Sequence, residues 1–88
     1  MFTQEKERFY LGDKDSPQAE ITFVKMGPDE LSINHTFVDE SLRGQGMAQK
    51  LLDAVADMAR SEGKKLSATC SYAAKHLKTD EKYADIAK

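Results

Sequence analysis

Apolar and polar residues alternate along residues 18–26 (QAEITFVKM), with Ala19, Ile21 and Phe23 on one face and Glu20, Thr22 and Val24 on the other. A period of two predicts a half-buried strand. Residues 31–38 (LSINHTFV) repeat the alternation and set Leu31, Ile33, His35 and Phe37 on one side. The GPDE turn at 27–30 lies between these runs and argues a hairpin. Before them, the strand-like RFYL at 8–11 stops at the turn-rich GDKDSP of residues 12–17. Three antiparallel strands are expected.

The period then lengthens. Ala48, Leu51, Leu52, Val55, Ala56 and Ala59 follow the spacing of an amphipathic helix, with Asp53, Asp57 and Arg60 toward its solvated side. Gly63 is the expected C-terminal cap, and LSATC at 66–70 reads as a fourth strand. A strand–helix–strand unit of this length favours a right-handed parallel crossover, which sets 66–70 beside 31–38. The remaining residues are helix formers, broken near Thr79 and Asp80, either of which suits an N-cap. The expected order is β-β-β-α-β-α, an α+β fold with a mixed antiparallel and parallel sheet, in one domain spanning residues 1–88.

Composition narrows the partners. With a formal net charge of −2 and 32% charged residues of both signs interspersed, the 88-residue chain has no general affinity for nucleic acid or an anionic membrane. Cys70 is the single cysteine, so no internal disulfide can form, which suits a reducing cytoplasm. Neither a signal peptide nor a bilayer-spanning run is visible, and the two histidines lack metal-ligand spacing. A soluble cytoplasmic protein without a metal is expected, and the sequence leaves its oligomeric state open.

The chemistry-bearing stretch is ESLRGQGMAQKLL at residues 40–52. Gly44 and Gly46 at the entrance of the helix either relieve a tight turn or admit an anion. The first N–H groups of a helix lack partners and carry the positive end of its dipole, and Arg43 adds a charged fork beside them. The spacing is neither that of a nucleotide P-loop nor G-x-G-x-x-G, since Ala48 and Gln49 follow Gly46.

Arg43-Gly44-Gln45-Gly46-Met47-Ala48 matches the R/Q-x-x-G-x-G/A signature, and its setting resembles the GNAT superfamily of acetyl-CoA-dependent N-acetyltransferases. A strand ending in TFVDESLRGQGMA, a helix with A-x-x-L-L and the CSYA run extend the resemblance from residue 18 to the C-terminus. The chain is similar to a short stand-alone branch with a minimal GNAT-like acyl-CoA N-acyltransferase fold. The resemblance implies that Arg43, Gly44, Gln45, Gly46, Met47 and Ala48, with Lys50 behind them, hold the pyrophosphate of coenzyme A. It also implies that Thr36, Phe37 and Val38 meet the pantetheine arm between the two parallel strands. The implied function is acetyl transfer from acetyl-CoA to an amine, on a small molecule or a protein. GDKDSP stands where larger members carry helices that build the acceptor pocket. The acceptor site is therefore open, supplied by a partner, or absent, and the alternative is a non-catalytic CoA-binding module.

Three side chains are candidates for the transfer itself. His35, on the apolar side of its strand, reads either as a core histidine or as a general base. Cys70 ends the neighbouring strand and is either a small buried thiol or, paired with His35, a nucleophile carrying an acetyl group. Tyr72 is either a core anchor or the general acid for the leaving thiolate.

Overall fold

Nine segments of regular structure alternate along residues 2–88, the part of the chain that the computed structural model describes. Strands β1 (Thr3–Glu5), β2 (Arg8–Gly12), β3 (Pro17–Lys25) and β4 (Glu30–Val38) are followed by a 3-10 turn at Glu40–Leu42 and helix α1 (Met47–Glu62). Strand β5 (Lys65–Ala68), helix α2 (Ser71–Thr79) and a second 3-10 turn (Glu81–Tyr83) complete the order. The sheet runs β1-β2-β3-β4-β5, antiparallel except for the parallel β4–β5 pair. The expected α+β architecture is present, with β1 added to the anticipated strands. β1 has few apolar residues and pairs with only three positions of β2, so its alternation carries no signal.

One face of the sheet is the core. Ile21, Ile33, Leu51, Leu52, Val55 and Leu66 are fully buried in it, and each such side chain contributes about 1.5–3 kcal/mol over an exposed one. Gly63 caps α1 in the left-handed region with its N–H on the carbonyls of Ala59 and Arg60. The C-terminal segment folds back onto the same side. Tyr83 is buried, and its hydroxyl donates to Asp53 Oδ1 of α1 at 2.6 Å. Ala87 then bridges to Leu66 in parallel at the outer edge of β5.

The expected alternation of β4 fails at one residue. Thr22 pairs with His35 but Phe23 pairs with Ile33, so Asn34 is an extra residue, and its side chain accepts a hydrogen bond from the Thr22 hydroxyl. This bulge reverses the facing of everything after it. Leu31 and Ile33 enter the core as expected, whereas His35 and Phe37 turn to the opposite face and Thr36 takes the core side. His35 is therefore not a histidine of the apolar face: its side chain is 56% exposed. That opposite face carries Arg8, Glu20, Thr22, His35 and Phe37, and no helix among the described residues covers it.

Candidate functional site

The parallel pair β4–β5 is short. Its register runs from Glu30 opposite Lys65 to Ile33 opposite Ala68, and the N–H groups of Thr69 and Cys70 then both donate to the Ile33 carbonyl, at 2.9 and 3.2 Å. Beyond that point β5 turns into α2, while β4 continues against β3 as far as Val38. A wedge opens between the two strands. Thr36, Phe37 and Val38 lie along one side of it without a β5 partner, and Cys70 and α2 form the other.

The turn from β4 into α1 closes one end of the wedge. Asp39 accepts hydrogen bonds from the Ser41 hydroxyl and backbone N–H, at 2.5 and 3.0 Å, which hold its carboxyl below the usual aspartate range. Arg43 follows, exposed, with its Nε 3.4 Å from the Val38 carbonyl. Gly44 and Gly46 adopt φ of 85° and 69°, a left-handed backbone that glycine enters without strain. A Cβ at either would point into open space, so the backbone conformation, and not crowding, requires glycine there.

Because Gly46 begins α1, no side chain caps its first N–H groups, and its first turn holds no acidic residue. Unpaired N–H donors at the positive end of a sixteen-residue helix, with Arg43 alongside, fit a phosphate or pyrophosphate. A hollow of about 200 Å³ lies against them, lined by Val38, Arg43, Gly44, Gly46, Met47, Ala48, Gln49 and Tyr72. Gln45 is exposed on the turn. Lys50 points to solvent one turn along, and Gln49 lines the hollow in its stead.

On the α2 side, Cys70 Sγ lies 3.5 Å from Thr36 Oγ1. Burial pushes the thiol up, but the backbone amides at the start of α2 and the Thr36 hydroxyl favour the thiolate and bring it below the ordinary thiol value. Tyr72 lies against His76 with the rings tilted by 47° and their centroids 4.5 Å apart, and burial with the nearby Asp53 carboxylate keeps its phenol protonated above the usual range. The expected Cys70–His35 pair does not form. Thr36, which meets the thiol, alternates with His35 along β4, so imidazole and thiol are on opposite faces of the strand. Tyr83 is locked to Asp53 in the core, where it supports α1 and is removed from the wedge.

A mixed sheet whose parallel strands part beside a glycine turn and an uncapped helix defines an α+β class of fold with a cleft that ends on an anion site. The sequence profile of the GCN5-related N-acetyl-transferase family matches residues 8–86, and the chain belongs to that family. It is similar to the solution structure of a GCN5-like protein from Staphylococcus aureus, with 37% identity and a TM-score of 0.87 over 100% of this chain and 87% of that one. Rv2747 from Mycobacterium tuberculosis, solved in complex with CoA, shares the fold at 17% identity and a TM-score of 0.63, over 81% of this chain and 47% of its own. Ard1 from Thermoplasma volcanium does so at 21% identity and a TM-score of 0.64, over 89% and 54%. Comparison with curated proteins gives no significant match. No helix among the described residues is long and apolar enough to cross a membrane.

Two features of the site escape a linear reading. The Asn34 bulge leaves no periodicity signal, because His35 with Phe37 and Thr36 with Val38 each set one polar and one apolar residue on a face, whichever way they turn. Glu20, whose carboxylate lies 3.9 Å from His35 Nε2, reads in the sequence as an ordinary solvent-side strand residue.

Proposed function

We propose that the chain transfers an acetyl group from acetyl-CoA to an amine. The observation that carries this reading is the wedge between β4 and β5, with an uncapped helix N-terminus and Arg43 at one end and Cys70 at the other. The pyrophosphate would rest on the N–H groups of residues 44–48. The pantetheine arm would lie along Thr36, Phe37 and Val38, taking from Phe37 its backbone alone, since the ring faces away.

In direct transfer, the amine nitrogen attacks the thioester carbon and the C–S bond breaks. His35 takes the amine proton from the open face, and Tyr72 protonates the departing thiolate. Tyr72 suits that acid role because its phenol stays protonated through neutral pH. In a two-step route, the Cys70 thiolate attacks the thioester carbon and expels the CoA thiolate, which takes a proton from Tyr72. The amine then attacks the acetyl carbon and the bond to Cys70 Sγ breaks; the lowered thiol value and the wedge position support that variant. His35 serves the amine in both, being on the wrong side of β4 to deprotonate Cys70.

A second reading, a CoA-binding module completed by a partner, is supported by the uncovered sheet face around His35. Calorimetric titration with acetyl-CoA, followed by thiol release with a lysine-bearing peptide, a polyamine and an amino sugar, tests both. Saturable binding with amine-dependent thiol release supports the transferase, and binding without release supports the module. Absence of binding overturns both. An acetyl adduct on Cys70 by mass spectrometry, with transfer lost in Cys70→Ala, selects the two-step route; full transfer by Cys70→Ala selects the direct one.

A further inference from the structure

The open face of the sheet carries a chain of charges that runs from β1 to β4 and ends at His35. Arg8 Nε is bonded to Glu5 Oε1 at 2.6 Å, and Arg8 Nη1 to Glu20 Oε2 at 2.5 Å. The guanidinium also donates to the Lys14 carbonyl at 3.0 Å and lies over the Tyr10 ring, 4.2 Å from its centroid. Arg8 is thus fixed on several sides, and it fixes Glu20 by one oxygen. The other oxygen, Oε1, faces His35 Nε2 at 3.9 Å, beyond a hydrogen bond but within reach of an ion pair.

This juxtaposition depends on the Asn34 bulge. Glu20 pairs with Phe37 and Thr22 with His35, so carboxylate and imidazole are diagonal neighbours on the same face only because the extra residue turns His35 outward. Without it, the imidazole would project into the core and Glu20 would face solvent alone.

We propose that Glu20 is a positioning residue for His35 in acyl transfer, orienting the imidazole over the open face and balancing the proton it takes from the amine. The inference rests on the transferase reading above. Its basis is charge as well as distance. Glu5 and Glu20 against Arg8 leave one net negative charge, and a proton on His35 brings the group to neutrality. The Glu20 side chain is 18% exposed and the His35 side chain 56%, so the carboxylate is held in place while the imidazole still reaches water and acceptor. Glu5, Arg8 and Glu20 are the charged groups on β1, β2 and β3 that share this face with His35, and Glu30, tied to Lys88 and Ser67, lies further along β4.

The test is Glu20→Gln, which preserves an acceptor for Arg8 and removes the charge. The orientation of the His35 ring is followed by NMR in the intact protein, and kcat/KM for acetyl-CoA with a lysine-bearing peptide is measured across pH. The acidic limb of kcat/KM is expected to move toward lower pH, because the carboxylate that balances the transferred proton is gone. At neutral pH kcat/KM falls about threefold to tenfold from lost orientation. The acetyl-CoA dissociation constant stays unchanged. Glu20→Asp, which keeps the charge one methylene further back, gives smaller shifts in the same direction and replaces the first variant should its amide spectrum lose dispersion. An unmoved pH profile of kcat/KM overturns the proposal, as does a moved profile with an unchanged ring orientation. Absence of thiol release by the wild type is a different failure: it removes the transferase reading, and with it any catalytic task for the pair.

Discussion

Thr36 Oγ1 stands 3.5 Å from Cys70 Sγ across the mouth of the β4–β5 wedge, and this contact joins the two sides of the proposed cofactor cleft. The hydroxyl and the N–H groups of Ala73 and Tyr72 together outweigh burial and keep the thiol below its ordinary value. The thiolate is thereby favoured without help from His35, which the bulge has moved to the other face.

Thr36→Val should make Cys70 less reactive at neutral pH. Removing one hydrogen bond to the thiolate leaves the backbone donors and the burial in place, so the thiol rises without returning to the value of an isolated buried cysteine. The pH at half-maximal alkylation by iodoacetamide is expected to move upward, with the rate at pH 7 falling about threefold. An unchanged pH profile would show that the α2 amides alone set the thiol.

Gly46→Ala acts through backbone conformation. Its φ of 69° places an L-residue in the left-handed region, and a Cβ there meets nothing within 4 Å, so strain and not collision opposes the change. Stability should fall by about 1–2 kcal/mol. Part of that strain can be relieved by moving the turn, which misaligns the first N–H groups of α1. We therefore expect weaker acetyl-CoA binding by calorimetry in addition to a lower midpoint in thermal unfolding.

Arg43→Gln separates charge from backbone. Arg43 is exposed and makes one long contact, from Nε to the Val38 carbonyl at 3.4 Å, so its loss should leave the melting temperature nearly unchanged. Binding of acetyl-CoA is expected to weaken about tenfold, as for loss of a charge-assisted hydrogen bond to phosphate. The variant's affinity should also respond less to added salt, because fewer charges are screened. Equal affinities at low and high salt in both proteins would argue that the pyrophosphate does not sit beside Arg43.

The expectations that held are those written in local periodicity. The buried positions Ala19, Ile21 and Phe23 of β3 and the α1 stripe from Leu51 to Ala59 are where alternation and helical spacing place them. The glycine turn was legible for a related reason: positive φ at Gly44 and Gly46 is a demand that residue type alone meets. What escaped was set by pairing between strands. The facing of His35 depends on an inserted residue opposite Thr22, and a bulge preserves composition while reversing geometry. The same reversal separated His35 from Cys70 and brought Glu20 beside it. The short parallel contact of Ala87 with Leu66 is likewise a tertiary event, since DIAK carries no strand pattern.

Tyr83→Phe probes the fold that holds the site. The Tyr83 hydroxyl donates to Asp53 Oδ1 at 2.6 Å, and Lys82 Nζ lies 3.0 Å from the same carboxylate oxygen, so Asp53 ties the C-terminal segment to α1 beside the second tie that Arg60 makes to Asp85. Burial and the Asp53 carboxylate both push the Tyr83 phenol well above its ordinary value. A raised value means that the folded state keeps its proton after the unfolded chain has lost it. The stabilisation is therefore complete below the ordinary phenol value of about 10 and is lost as pH rises above it. Tyr72, raised by burial, adds to the same alkaline loss. At neutral pH, Tyr83→Phe should lower stability by about 1–2 kcal/mol, since Asp53 remains partly exposed and paired with Lys82 after the hydroxyl is gone. Above pH 10 the gap between variant and wild type should close, because the wild type forfeits there what the variant never had. Urea unfolding at neutral and alkaline pH measures both, and parallel loss in the two proteins would place the alkaline weakness elsewhere.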